Sequence, residues 1–136
     1  MKAIKILSHP FVLVICFLMI LISGQHLGGF YLLYILLGLS HGAIHSLLAI
    51  AGVGVLLFSN YKYKRAFVYL IEPILNISGV ILLSLSLFLF FYNDKQQYNY
   101  STLYQTVPLI TIAIFVMSVA TFVSINLKKL QRTVTG

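Results

Sequence analysis

The chain has 136 residues, 60% of them hydrophobic and only 8% charged, with a mean hydropathy of +1.01. A water-soluble domain of this length has too little interior to hide so much apolar surface, so the expected solvent is a lipid bilayer. Nine Lys and Arg against two acidic residues give a net charge of +7, but every basic residue lies outside the apolar runs, where it sets orientation and attracts anionic headgroups, so nucleic acid is not an expected partner.

An apolar run of about 18 residues crosses about 30 Å of hydrocarbon as a helix. Four runs are read as spans, at about 10–24 (beginning as early as Ile4), 28–59, 66–92 and 106–126. They are continuous rather than alternating, and an open sheet would leave backbone groups unpaired in lipid. The predicted fold is therefore all-α, an integral membrane four-helix bundle forming a single domain over 1–136.

The first run follows Lys2 and Lys5 and ends in "LISGQ". It has the shape of a secretory signal cut after Gly24, and is expected here as a retained anchor. Cys16, the sole cysteine, can make no internal disulfide and reads as a small buried hydrophobe.

The second run is too long for a perpendicular helix. About 31 residues at about 1.5 Å each make about 46 Å, so it must tilt, bend near Gly38 or Gly42, or project into the headgroups. A re-entrant pair of half-helices around "SHGAIH" is disfavoured, since each half holds only about a dozen residues and Lys62, Lys64 and Arg65 would return to the side of the uncharged first loop. Within "GLSHGAIHSLL", His41 and His45 stand four apart and share a face if the helix is continuous. Gly38, Gly42 and Ser46 lie alongside in a small-xxx-small pattern that admits a neighbouring helix, so the imidazoles are expected to face protein. The spacing also suits two imidazoles on one metal. It lacks the glutamate of a zinc-protease motif and a third ligand at the same depth, and two histidines on one face cannot be the opposed axial ligands of one haem. No metal and no cofactor are assigned.

The third run contains Pro73, which is easily housed in a first helical turn. The crossing is expected to start there, with "NYKYKRAFVYLIE" partly along the interface. Glu72, Asn76, Gly79 and Ser86 form a stripe. Glu72 is the only acidic residue in any span and is expected to be protonated, hydrogen-bonded, paired with a cation such as Arg65, or lifted towards the headgroups. Counted from the same boundary, Glu72 lies about 9 Å deep and His45 about 20 Å deep. The two therefore do not make one site, and Glu72 is expected level with Gly52 and Gly54. In the fourth run Pro108 starts the helix, and Thr111, Ser118 and Thr121 return their hydrogen bonds to the backbone.

The flanking charges orient the chain. Lys2 and Lys5, then Lys62, Lys64 and Arg65, then Lys128, Lys129 and Arg132 fall on one side. "GQHLGG" and "NDKQQYNYSTLYQ", with only Lys95 beside Asp94, fall on the other. The positive-inside rule predicts both termini in the cytoplasm of a multi-pass inner-membrane protein, with Tyr31, Tyr92, Tyr98, Tyr100 and Tyr104 at the outer boundary and Tyr61, Tyr63 and Tyr69 at the inner one.

No Gly-rich phosphate loop, Ser-His-Asp set or paired carboxylates occur, and there is no soluble domain to hold them, so no enzyme is expected. The predicted role is a non-enzymatic subunit or assembly partner of a larger membrane complex, with the bilayer and other membrane subunits or further copies as partners. Gly38, Gly42, Ser46, Gly52 and Gly79 are the expected packing positions. His41, His45, Glu72 and Asn76 are the expected buried polar groups, serving interhelical hydrogen bonds or a proton relay. The alternatives are a small proton-coupled transporter or channel acting as an oligomer, and a His-ligated metal or haem anchor completed by another subunit.

Overall fold

The structure, a computed structural model, describes Ile6, residues 9–62 and residues 71–135. Lys2, Lys5, Lys64, Arg65, Tyr63 and Tyr69 lie outside the described residues. The elements run α1 (Pro10–Leu18), β1 (Leu21–Ser23), β2 (Gly28–Phe30), α2 (Tyr31–Ser40), α3 (Ile44–Lys62), α4 (Ile71–Tyr92), a short 3-10 turn (Tyr100–Leu103) and α5 (Thr106–Thr135). Helix dominates, as the composition requires. Three helices are long and apolar enough to cross a membrane, over Ile44–Tyr61, Ile71–Tyr92 and Thr106–Arg132.

The centre of the fold is the antiparallel pair α3 and α4, which meet at two glycines. A Cβ built on Gly52 would stand 3.0 Å from the Gly79 carbonyl oxygen and 2.8 Å from Leu83 Cδ2. One built on Gly79 would stand 2.7 Å from Leu56 Cγ. Without side chains at these two positions the backbones approach closely, which is how helices gain dispersion contact in lipid, where no water is displaced. The same register carries along the pair. The Ser86 hydroxyl donates to the carbonyl of His45 at 2.7 Å, and Asn60 shares a cavity with Glu72. α5 packs against α4 and α1, closing a core that includes Leu13, Phe17, Leu56, Leu83, Phe115 and Phe122.

The structure differs from the sequence reading at two of the four runs. Residues 28–59 are not one helix. α2 ends in a Schellman turn: the N–H of Ala43 donates to the Gly38 carbonyl at 2.8 Å, that of Gly42 to Leu39 at 3.1 Å, and Gly42 sits at φ +68°, the left-handed position that glycine fills without strain. The chain then restarts as α3, and Leu32, Ile35 and Leu36 of α2 face Ala49, Ile50 and Val53 of α3 across one apolar cleft. The excess length is thus absorbed at Gly42, one of the two glycines at which a bend is expected, and not by tilting; α2 and α3 form the helical pair around "SHGAIH" that the sequence reading disfavours, except that α3 is long enough to cross by itself.

Residues 10–24 are half helix and half strand. α1 stops at Leu18, and β1 pairs antiparallel with β2 in the register Leu21 with Phe30, Ile22 with Gly29 and Ser23 with Gly28. Gly24 at the hairpin corner has no room for a side chain, because a Cβ there would meet the Leu27 carbonyl and the Asn99 side chain. The remaining polar backbone is met from elsewhere. Leu21 N–H donates to Thr111 Oγ1 at 3.0 Å, Ser23 N–H to Thr102 Oγ1 at 2.8 Å, Tyr31 N–H to the Ile20 carbonyl at 2.7 Å, and the Ser101 hydroxyl to the Ser23 carbonyl. Pro73 and Pro108 are buried third residues of the described α4 and of α5, first-turn positions where a missing N–H costs nothing.

The fold has two distinct ends. Pro10, Asn60, Glu72, Asn126 and Lys129 gather at one, here the basic end. At the other, the loop end, the hairpin loop meets residues 98–102, with Gln25 N–H donating to the Tyr98 carbonyl at 3.0 Å. The His26 ring lies 4.6 Å from that of Tyr98.

Candidate functional site

Two polar clusters occupy opposite ends of the α3–α4 pair. At the basic end a cavity of about 160 Å³ is lined by Pro10, Asn60, Glu72, Asn76, Asn126 and Lys129, with Phe122 and Ile125 as its apolar wall. Asn76 from α4 and Asn126 from α5 are both buried, and Asn76 Nδ2 donates to Asn126 Oδ1 at 2.9 Å. Asn126 Nδ2 in turn donates to the Phe122 carbonyl one turn back on its own helix, at 2.8 Å. Asn76 Oδ1 is buried and has no hydrogen-bond partner. At the rim Lys129 Nζ lies 3.2 Å from Glu72 Oε1, with both side chains partly exposed. Glu72 is therefore paired with a cation, one of the outcomes expected for its position in the third run, but the cation is Lys129 of α5. Arg65, the partner considered from sequence, lies outside the described residues.

At the loop end the hydroxyl of Tyr31 meets Ser86 Oγ at 2.9 Å. Because the single Ser86 proton is committed to the His45 carbonyl, Tyr31 is the donor in this pair. The His45 ring packs edge-on to Phe90 with centroids 5.3 Å apart, and its Nε2 is buried without a hydrogen bond of regular geometry. Phe90 also takes the edges of Tyr31 and Tyr34.

His41 is not in this cluster. It is the C-cap of α2, exposed, with Nδ1 turned back to the Leu37 carbonyl and to Ser40 Oγ, both at 2.9 Å. The expectation that His41 and His45 share a face required an unbroken helix, and the turn at Gly42 puts them on different ones. The small-residue stripe is redistributed for the same reason. Gly38 faces Ser46 across the fold-back, where a Cβ would meet Ser46 Oγ. Gly42 lies in the turn with nothing near the position of a Cβ. Gly38 is thus closed to a further helix, whereas Gly52 and Gly79 face each other.

The depth estimate also shifts. Fourteen positions separate Glu72 from Ser86, the neighbour of His45, which is about 21 Å at about 1.5 Å per residue. Glu72 is level with Asn60 rather than with Gly52 and Gly54. The two clusters are thus twice as far apart as counting from the run boundaries gave, and the conclusion that they form separate sites stands.

Asn60 and Asn126 were passed over in the sequence because each stands beside a basic flank and reads as interface. The available signal was spacing. Asn126 lies one helical turn from Phe122 and three residues before Lys129, on the side that carries Ser118 and Phe115 into the core. Of the flanking cations, Lys128 and Arg132 are exposed, and Lys62 ends α3. Thr121 and Ser118 return their protons to the carbonyls four residues earlier, whereas Thr111 is shared between the Pro108 carbonyl and the hairpin. Among the described residues no three of His, Cys, Asp and Glu gather as they would to hold a metal ion.

Comparison with protein-family models, with curated proteins and with solved structures finds no match.

Proposed function

We propose that the protein is a non-enzymatic, multi-pass membrane protein that serves as a subunit or assembly partner of a larger membrane complex, with its basic end in the cytoplasm. The observation that carries this reading is the position of the glycine crossing. Between the two polar clusters, Gly52 and Gly79 bring the α3 and α4 backbones together, and Leu56 and Leu83 beside them are fully buried. A proton path within one chain would have to pass through this packed apolar layer, so the internal polar groups read as fasteners at each end and not as stations of a conduit. Outside that layer, Ile110, Ile114 and Met117 of α5 and Ile74, Ile81 and Phe88 of α4 are exposed, apolar flanks suited to lipid or to the helices of a partner. A four-crossing arrangement is the one we favour, since Pro10 lies at the end where α3 and α5 finish and Ser23 at the end where α4 does.

The test is the full-length chain extracted in a mild detergent, cross-linked in its native membrane beforehand, and examined by native mass spectrometry. A defined stoichiometric assembly with another membrane protein or with further copies is expected. A monodisperse monomer with no cross-linked neighbour, or proton flux in reconstituted vesicles that is lost in Glu72→Gln, overturns the reading.

A further inference from the structure

The β1–β2 hairpin has two edges, and only one is closed. The register sets Ile22 opposite Gly29, and Tyr31 N–H donates to the Ile20 carbonyl at 2.7 Å. Hydrogen-bonded pairs alternate along an antiparallel ladder. Residues 20 and 31, and 22 and 29, are therefore bonded to each other, while 21, 23, 28 and 30 turn their backbone groups outwards. On the β1 side the outward N–H groups are met, that of Leu21 by Thr111 Oγ1 and that of Ser23 by Thr102 Oγ1. On the β2 side Gly28 and Phe30 are exposed, and their N–H groups have no partner among the described residues. The Phe30 carbonyl serves α2, of which Phe30 is the N-cap. Gly28 N–H, the Gly28 carbonyl and Phe30 N–H are left in a row. Phe30 lies opposite Leu21, whose partner Thr111 is five residues into the apolar span Thr106–Arg132, about 7.5 Å below its start at about 1.5 Å per residue. A sheet edge open to hydrocarbon leaves polar groups unmet. Gly28, Gly29 and Phe30 bring no charge and no proline to blunt that edge, and glycine within a strand is where another backbone approaches closely.

We propose that β2 takes a third strand, an extended segment of the partner membrane protein, at the loop end of the fold. This rests on the partner reading and names its contact. Lipid esters accept hydrogen bonds but have no donor for the Gly28 carbonyl, whereas a peptide backbone offers donor and acceptor at the repeat of the strand. A second copy of this chain does not fit. In the same membrane orientation its β2 would run parallel, and two-fold symmetry would set Gly28 opposite Gly28. A parallel ladder bonds each residue to the two that flank its opposite number, here Leu27 and Gly29, and Gly29 is already turned to Ile22. The side chains of Leu27 and Phe30 are exposed beside the edge, so the added segment is apolar and uncharged at this depth.

The test uses the full chain in its native membrane, with Leu27 replaced by photoreactive benzoylphenylalanine. A discrete adduct with one membrane protein, identified by mass spectrometry, is expected. Phe30→Pro is the deciding variant. Phe30 has φ −72°, which proline adopts, and its N–H is not used within the chain, so the isolated protein should unfold in dodecyl sulfate at the same midpoint as Phe30→Leu. The adduct should nevertheless fall about tenfold in Phe30→Pro relative to Phe30→Leu, the factor carried by one or two lost backbone hydrogen bonds. Should Phe30→Pro fail to fold, Gly28→Pro removes the other edge N–H and carries the same comparison against Gly28→Ala. An adduct equally strong in the proline variant and its control overturns the third strand. So do lipid adducts alone at Leu27 while the same probe at Phe88 or Met117 captures a protein, a result that leaves the partner reading intact. No protein adduct at any of the three positions overturns both.

Discussion

Replacing Gly79 with alanine tests the crossing on which the separation of the two polar ends rests. The new methyl would stand 2.7 Å from Leu56 Cγ, 2.9 Å from Leu56 Cδ2 and 3.3 Å from the Gly52 carbonyl oxygen. Carbon atoms prefer about 3.5–4.0 Å, so either Leu56 leaves its rotamer or the helices part, at a cost of about 1–3 kcal/mol. Leu56→Ala has the opposite defect. The side chain is fully buried, and in a membrane its reference state is lipid, so the loss is mainly the void left behind. At about 24 cal/mol per Å³, a void of about 80 Å³ costs about 2 kcal/mol. In the double variant the alanine methyl at position 79 moves into the space that Leu56 vacates, so the two losses should sum to about 1–2 kcal/mol more than the loss observed, well beyond the scatter of about 0.3–0.5 kcal/mol seen for independent sites. Reversible unfolding of the four proteins in mixed micelles with increasing dodecyl sulfate measures all four terms. Additivity within that scatter would show that Gly79 and Leu56 do not compete for one space, and the close crossing would have to be abandoned.

Asn126→Leu should cost about 1–2 kcal/mol in the same assay, somewhat above the average of about 0.6 kcal/mol for an interhelical hydrogen bond in a bilayer, because it also leaves Asn76 Nδ2 unmet. The paired variant Asn76→Leu/Asn126→Leu should recover part of the loss, and a larger loss in the pair would show that the amides do not act as a couple. Gly42→Ala should cost about 1 kcal/mol from its left-handed backbone alone, since open space surrounds the position. Gly42→Asn should cost less, and equal effects of the two would argue against a left-handed turn. Lys129→Met should change stability by no more than about 1 kcal/mol, with the difference shrinking as salt is raised, because its pairing with Glu72 is partly exposed. A larger, salt-independent loss would mean that the pair is buried in the assembled protein.

Much of the helical architecture could be read from apolarity, because in lipid a long apolar run has few alternatives to a helix. α4 ends and α5 begins where the expected runs do for that reason, and their prolines mark the first turns, although α5 continues past the expected 126 to Thr135. The break at Gly42 was harder to read. Its signal is a polar pair, Ser40 and His41, followed by glycine, which is a C-cap pattern, but the apolar residues on both sides continue a hydropathic run that takes no notice of it. The spacing argument for His41 and His45 failed at that one glycine. The Gly52–Gly79 contact could be inferred only as two stripes of small residues, since which stripe meets which depends on register across a turn, and register is fixed by packing that no single segment contains. Asn60 and Asn126 were lost to a different effect: beside lysines and arginines a polar residue looks like solvated flank, and only the tertiary contact shows that its amide points inward.

The hairpin is where the sequence rule and the structure part furthest, and the physics that permits it also ties the two ends of the chain together. Nine helical residues from Pro10 to Leu18 rise about 13.5 Å at about 1.5 Å each. Past the cap at Met19, the four from Ile20 to Ser23 add about 13 Å at about 3.3 Å each. Together they reach about 27 Å, against about 21 Å for fourteen residues of pure helix and about 30 Å for a hydrocarbon core. Extended backbone at membrane depth is tolerated only inside protein, and here Ile20 and Ile22 are buried while Thr111 and Thr102 accept from the outward N–H groups. Those acceptors lie some 80 to 90 residues downstream, at the start of α5 and in the turn before it. The N–H groups of Leu21 and Ser23 therefore lack these partners until α5 and the turn before it are in place.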